Sequence, residues 1–495
     1  MSNSADFDAH IALNRFGYGL KRGARVPTDP RGYLLTQLDR FDPEPQPIAG
    51  RGDMMEKPGE MLEMLRRLRR QRQSEAGAQD MASMETMGSQ AGESRTDPLN
   101  GLPDEVRQSY RRSGEALRAD IGLRTNLAIA SDTPFAERLV HFWSNHFSVS
   151  AQKPGTHYLV ANHEFHAIRP HLTGKFSDML KSAVLHPAML IYLDQFRSIG
   201  PGSQFQQFRA RQRNRRGSNE PDLGLNENLA REVLELHTLG VDGGYDQADV
   251  TELARALTGW TIAGIRRMAR FTQDKANGAA FAAPAHEPGT RRIMGKSYRA
   301  SGADQAIAVL DDLAAHPATA RFIATKLARH FAGDTPPDSL VARLERDFKE
   351  SGGDLGSLSR TLVASPEVWA EGPVKYRQPF EWLVSILRFT GIDNLNSRRI
   401  SGGLDQLGQL PWRAPSPAGY DDLEGSWAGP DALLRRVELA ERIARGARAD
   451  NIMDRANAAF PAGGLSDHTS TWLSRAESGQ QALGLLLVSP EMLRR

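Results

Sequence analysis

His141, His146, Glu232, Glu235 and His237 are of the types that reaction centres use. Imidazole and carboxylate without thiolate suit a divalent transition metal such as zinc, iron, manganese or copper. The same groups can exchange protons without a metal, with Glu232 or Glu235 as base and His141 as acid. Asn145, Asn228 and Arg231 lie a few positions away and are placed to orient them as outer partners. Spacing alone does not choose between these chemistries. His141 and His146 are five apart, about 140° round an ideal helix, and the same offset separates Glu232 from His237. A shared site therefore needs His141 to face Glu232 and Glu235 across two different elements.

The two elements are helices. From Thr133 to Ser150, TPFAERLVHFWSNHFSVS offers Thr133 as N-cap and Pro134 at the first helical position. On a helical wheel Glu137, Arg138, His141, Ser144 and Asn145 share one arc, and apolar residues with His146 fill the rest. From Gly224 to Ile262 the pattern predicts two helices joined by a tight turn. Gly240 ends the first, Asp242-Gly243-Gly244 makes the turn, and Asp246 with Asp249 opens the second. On the first of these Asn228, Arg231, Glu232 and Glu235 share a narrow arc, with His237 opposite among apolar residues. Each polar stripe faces either a thin strip of solvent or an internal polar site. A purely structural reading stands beside this one. His146 and His237 are then core histidines, while Arg231 and Arg138 pair with Glu235 and Glu232.

Composition limits the alternatives. The 495 residues carry a net charge of +2, are 40% hydrophobic and 25% charged, and include no cysteine. That balance gives no strong nucleic-acid signal, and the missing cysteine excludes disulfides and a thiolate nucleophile. No Gly-x-Ser-x-Gly elbow, Walker loop or Gly-x-Gly-x-x-Gly is present, nor is His-Glu-x-x-His. No apolar run reaches the roughly 18 residues of a spanning helix. The N-terminus lacks a basic region followed by an apolar one, which predicts a cytoplasmic protein or one exported with a partner.

Periodicity predicts an all-α fold, a large irregular multi-helix core with at most a short β-hairpin near 290–300. The expected organisation is N-terminal helices over 1–73, a flexible insertion over 74–103, and a main helical domain over 104–495. That last part holds the site region 133–262, an arginine-rich loop over 199–222 and a C-terminal helical part over 303–495. Leu404 to Pro430, rich in proline and glycine with Trp412, Tyr420 and Trp427, is expected to pack as an ordered loop over the core.

Several segments resemble the bacterial family known as domain of unknown function 1800. They are HFWSNHFSVS (His141 to Ser150), IRPH (Ile168 to His171), HPAMLIYLD (His186 to Asp194), the Asn226 to Thr261 block, ASPEVW with Lys375 and Pro379 downstream, and the terminal LLLVSPEMLRR (Leu485 to Arg495). The resemblance spans nearly the whole chain. It implies a shared helical fold and, since the family's members are often exported and look to be encoded beside a sulfatase-like family, a sulfatase-like protein partner. It supplies no reaction. The best functional expectation is a metal-dependent hydrolytic or oxidative enzyme with its His/Glu site between the two helices. The alternatives are a metal-free acid–base enzyme and a non-catalytic accessory protein that docks the sulfatase-like partner.

Overall fold

The computed structural model describes residues 2–51, 104–153, 155–216, 224–264, 271–275, 278–370, 375–393, 395–461 and 464–495. The insertion expected over 74–103, and the amphipathic helix expected over 56–73, lie outside them. The described chain is predominantly helical, as its periodicity predicts, with two small sheets. One continuous cluster of buried apolar side chains runs from Ile11 to Leu493, so N-terminal and C-terminal helices share a core.

The expected helix at 133–150 forms over Pro134–His146, with Pro134 at its start. Thr133 makes no capping bond and instead contacts the Ser131 hydroxyl. Phe135, Leu139, Val140, Phe142 and Trp143 are buried, which is where most of this helix's stabilisation originates. The second helix runs over Asn228–Glu232 and continues as a wider π-helical turn over Val233–Thr238. Gly240 ends it with φ of +84°, the left-handed conformation that glycine adopts without steric cost. Asp246 and Asp249 then cap each other's backbone at the start of the Gln247–Leu257 helix.

Past Leu257 the expectation fails. The segment expected to stay helical becomes a strand, Trp260–Ile262, in an antiparallel sheet with Ala279–Ala282 at its centre and Thr272–Asp274 beyond. The run is too short and too fully buried for its periodicity to separate strand from helix. The expected hairpin is present, Arg291–Ile293 against Lys296–Tyr298. Met294 and Gly295 both have positive φ at its turn, as a two-residue hairpin turn requires. The arginine-rich segment expected as a loop over 199–222 contains a helix, Gln204–Arg216. Its lack of an apolar stripe hid it. No helix among the described residues is long and apolar enough to cross a membrane.

Four elements converge beside the Pro134–His146 helix. They are the chain just after a π-helical turn at Ala12–Phe16, the Pro317–Ala332 helix, the first turn of the Pro379–Thr390 helix, and the loop between Gln406 and Pro430. The loop is ordered against the core, with Trp412 buried.

Candidate active site

The convergence encloses a cavity of about 340 Å³, within the range of small-molecule sites. Every member of the polar arc on the Pro134–His146 helix is turned inward and paired. Glu137 accepts two bonds from Arg169 (2.7 and 3.0 Å). Ser144 donates to Glu164 (2.6 Å), which also accepts from Arg124 Nε (2.8 Å) and Trp412 Nε1 (3.0 Å). Asn145 exchanges two 2.8 Å bonds with the backbone of Tyr420 and so clamps the loop to the helix. This stripe is an internal polar site and not a solvent strip.

The clamp leaves no room for a side chain at Gly419. Its φ is +84°, and an added Cβ would lie 2.5 Å from the Asn145 carbonyl oxygen. Gly419→Ala is expected to destabilise the protein by more than about 1 kcal/mol and to expose the Tyr420 amide. Denaturant titration and hydrogen exchange at that amide check this; unchanged protection would mean the clamp does not hold the loop.

His141 forms part of the cavity wall. Its Nδ1 lies 2.6 Å from the Tyr18 hydroxyl, and its ring stands edge-on to Phe380 at 4.9 Å. Burial, reinforced by Arg124, Arg169 and Arg138, holds its pKa well below the ordinary histidine value, so the ring is neutral. Burial drives the Tyr18 phenol the other way, far above its usual range. The phenol therefore keeps its proton and donates it to Nδ1, which leaves the imidazole proton on Nε2. That Nε2 is buried and has no hydrogen-bond partner among the described residues.

A second imidazole, His330, sits in the same wall with both nitrogens engaged. Nδ1 donates to Asp422 (3.1 Å), and Nε2 accepts from Arg138 Nε (3.3 Å). Arg138 also bonds Glu381, which accepts from Arg495 Nε at 3.1 Å. Burial alone would raise Glu381, but Arg138 and then Arg495 overcome it and hold its carboxyl at about 2. Asp422 further binds Lys375 Nζ (3.1 Å) and is held well below the usual carboxylate range. These charges are mutually satisfied and fix the shape of the wall.

Lys326 and Arg329 share the face of the Pro317–Ala332 helix that carries His330. Both line the cavity. Among the described residues neither has a carboxylate at ion-pair distance, and Arg329 Nε is buried without a partner. Asp422 acts on Lys326 only through its longer-range charge, so among the described residues the wall offers two cationic side chains outside any close ion pair, next to a neutral imidazole with one unused nitrogen.

The sequence-derived residues separate into two groups. His141, Asn145 and His146 belong to the cavity. His146 donates from Nε2 to the His237 carbonyl oxygen (3.1 Å) and accepts at Nδ1 from Lys326 (3.1 Å). His237 is fully buried against Phe147, its ring centroid 6.2 Å from that of His146 and neither ring nitrogen partnered among the described residues. Glu232 and Glu235 form no part of the cavity wall. Glu235 accepts from the Tyr245 hydroxyl (3.4 Å). Partial burial, with the Glu235 charge beside it, raises Glu232 above its ordinary value. Asn228 is exposed, and Arg231 pairs with Glu227 (3.5 Å) and Gln247 (2.9 Å). The expected pairing of Arg231 and Arg138 with Glu235 and Glu232 is therefore replaced by Glu227 and Glu381. Among the described residues no three His, Asp or Glu side chains are grouped so as to hold a metal ion.

Tyr18, Lys326, Arg329, His330, Glu381 and Asp422 were not expected at the site. Lys326, Arg329 and His330 stand three and four apart on one amphipathic helix. That spacing is a face signal, but without the neighbouring helices nothing marks it as a cavity wall. No curated protein and no solved structure matches the chain. A family model described as a protein of unknown function (DUF1800) matches residues 11–494, so the chain belongs to that family, as the motifs around His141 and Glu232 suggested.

Proposed function

We propose that the chain is an enzyme that acts on a small oxygen-bearing anion by metal-free acid–base chemistry, with His141 as the proton-donating group. The observation that carries this reading is the unused, buried Nε2 of a neutral His141 in a cavity wall. A neutral imidazole N–H can polarise a carbonyl or phosphoryl oxygen without introducing another charge. Lys326 and Arg329 supply the charge that an anionic group would meet there, in surroundings where water screens it weakly. Tyr18 holds the ring orientation, and the Asn145–Tyr420 clamp closes the cavity from the loop side.

His330 is a weaker candidate for the same role, because Asp422 and Arg138 already occupy both of its nitrogens. The metal-dependent expectation has less support. His146 uses both ring nitrogens inside the protein, and Glu235 stands with Tyr245 away from the cavity.

The test begins with inorganic phosphate, acetate, glycolate and pyruvate as ligands, followed by thermal melting. Any that bind are followed for chemical change by proton or phosphorus spectroscopy. His141→Asn is expected to weaken binding about tenfold or more, the loss of one hydrogen bond to a charged group. It is expected to slow any turnover by about a hundredfold or more. Binding and turnover equal to wild type would remove His141 from the chemistry.

A further inference from the structure

We propose that Lys326 is an amine nucleophile that forms an imine with a carbonyl compound carrying an anionic group. This rests on the reading of the cavity as an anion site and names the class of molecule that fits it.

The argument starts from what surrounds the amine. Lys326 Nζ bonds His146 Nδ1 at 3.1 Å. The His237 carbonyl oxygen can only accept, so His146 carries its proton on Nε2 and its Nδ1 accepts from the lysine, which leaves the lone pair of a neutral amine free. The accepting nitrogen stays unprotonated, because burial, then Lys326 and His237, keep His146 well below the ordinary histidine value. The amine also stands 5.4 Å from the centroid of the Phe322 ring. No carboxylate lies at ion-pair distance among the described residues; the Asp422 charge favours the ammonium from further off, and burial outweighs it. Such surroundings favour the neutral amine, and burial does bring Lys326 down to about 8. The side chain is half-buried and its residue forms part of the cavity wall, so the amine is shielded from bulk water yet reachable from the cavity. Desolvated lysines next to another cationic group are the form in which this residue attacks carbonyl carbon. Arg329, one helical turn away on the same face, is that neighbour; it lowers the lysine against Asp422, whose opposing effect is the larger of the two.

The reaction balances without an outside reagent. The nitrogen lone pair attacks the carbonyl carbon, the C–N bond forms, and the π pair moves onto oxygen. That oxygen takes one amine proton, giving a carbinolamine. The nitrogen lone pair then expels the hydroxyl, which leaves as water with the second amine proton, and a C=N bond remains. Nothing is oxidised or reduced. His141 Nε2–H is the donor available to the carbonyl oxygen during attack. Arg329 is the group available to a carboxylate on the same molecule, which points to 2-oxo acids before simple aldehydes.

The experiment traps the imine. Full-length protein is incubated with glyoxylate, pyruvate or, as an uncharged control, acetaldehyde, in the presence of cyanoborohydride. Modified lysines are then mapped by peptide mass spectrometry. Lys326 is expected to be labelled more than about tenfold faster than surface lysines at neutral pH, the effect of a lowered amine pKa. Its rate should level off near pH 8, where surface lysines are still accelerating, and glyoxylate should outrun acetaldehyde there. Lys326→Arg, which keeps the charge, should lose that label alone. If this variant does not fold, mapping of the wild-type protein decides the matter by itself. Labelling spread over surface lysines with Lys326 untouched would overturn the proposal. The two readings fail separately. A Lys326 adduct together with an indifferent His141→Asn removes only the acid–base role, whereas an unlabelled Lys326 with His141-dependent anion binding removes only the imine.

Discussion

Glu381→Ala is expected to lower stability by about 3 to 5 kcal/mol, the range for deleting one partner of a buried ion pair. Arg138 and Arg495 are both almost fully buried, and Glu381 is the carboxylate they share. Their other bonds go to neutral groups, as when Arg138 donates to the Gly17 carbonyl oxygen (2.6 Å) and to His330. Removing the carboxylate therefore leaves two guanidinium groups beside each other with no anion in contact. Glu381→Gln restores two hydrogen-bonding atoms but not the charge, so it should fall between Ala and wild type. Denaturant titration of the three proteins checks the order. A loss below about 1 kcal/mol for the alanine variant would mean that solvent reaches the arginines more freely than their burial indicates.

Acid should be the second large perturbation, and histidines rather than carboxylates should set where it begins. Burial lowers His141, His146, His163, His186, His237 and His330, with His163 at about 4 and His237 at about 3. A histidine with a lowered folded pKa binds its proton more readily in the unfolded chain. Its contribution is whole above the unfolded value near 6.5 and is lost as pH falls toward the folded value. Stability should therefore drop steadily from pH 6.5 to about 4 and further toward 3. Glu381 adds a later loss, between its unfolded value of 4.5 and its folded value of about 2. Each histidine shift of one unit corresponds to about 1.4 kcal/mol, so several acting together outweigh most single substitutions. Denaturation midpoints measured at half-unit intervals from pH 8 to 3 test this. A curve flat down to pH 5 would show that these rings are not held neutral.

The sequence was most informative where one face of a helix had to be decided. The arc of Glu137, Arg138, His141, Ser144 and Asn145 is visible in thirteen letters of chain because 3.6-residue periodicity survives intact over Pro134–His146. What the arc faces was not visible. Its partners Tyr18, Glu164, Glu381 and Tyr420 lie between 20 and 275 positions away, and no local pattern encodes such distances. The second helix misled for a geometric reason. An ideal wheel does not apply across Val233–Thr238, where Leu239 N bonds Leu234 O across five residues. His237 consequently meets His146 through its backbone carbonyl, and the two helices touch without bringing Glu232 and Glu235 to His141. The cationic pair Lys326 and Arg329 stayed hidden because lysine and arginine on an amphipathic helix usually mark the solvated side.

Three stretches of this chain, Ala12–Phe16, His163–Ile168 and Val233–Thr238, wind wider than an ordinary helix. Each holds one amino acid more than the regular coil would use over the same rise, and such swellings tend to accompany working parts of proteins. Tyr18 follows the first, Glu164 lies inside the second, and the carbonyl that anchors His146 belongs to the third. Trimming a single letter from any of them would give a smoother coil while swinging everything downstream by about 100°. In these three places regular geometry and a correctly assembled chamber are opposed, and the extra letter is what keeps the chamber's parts in phase.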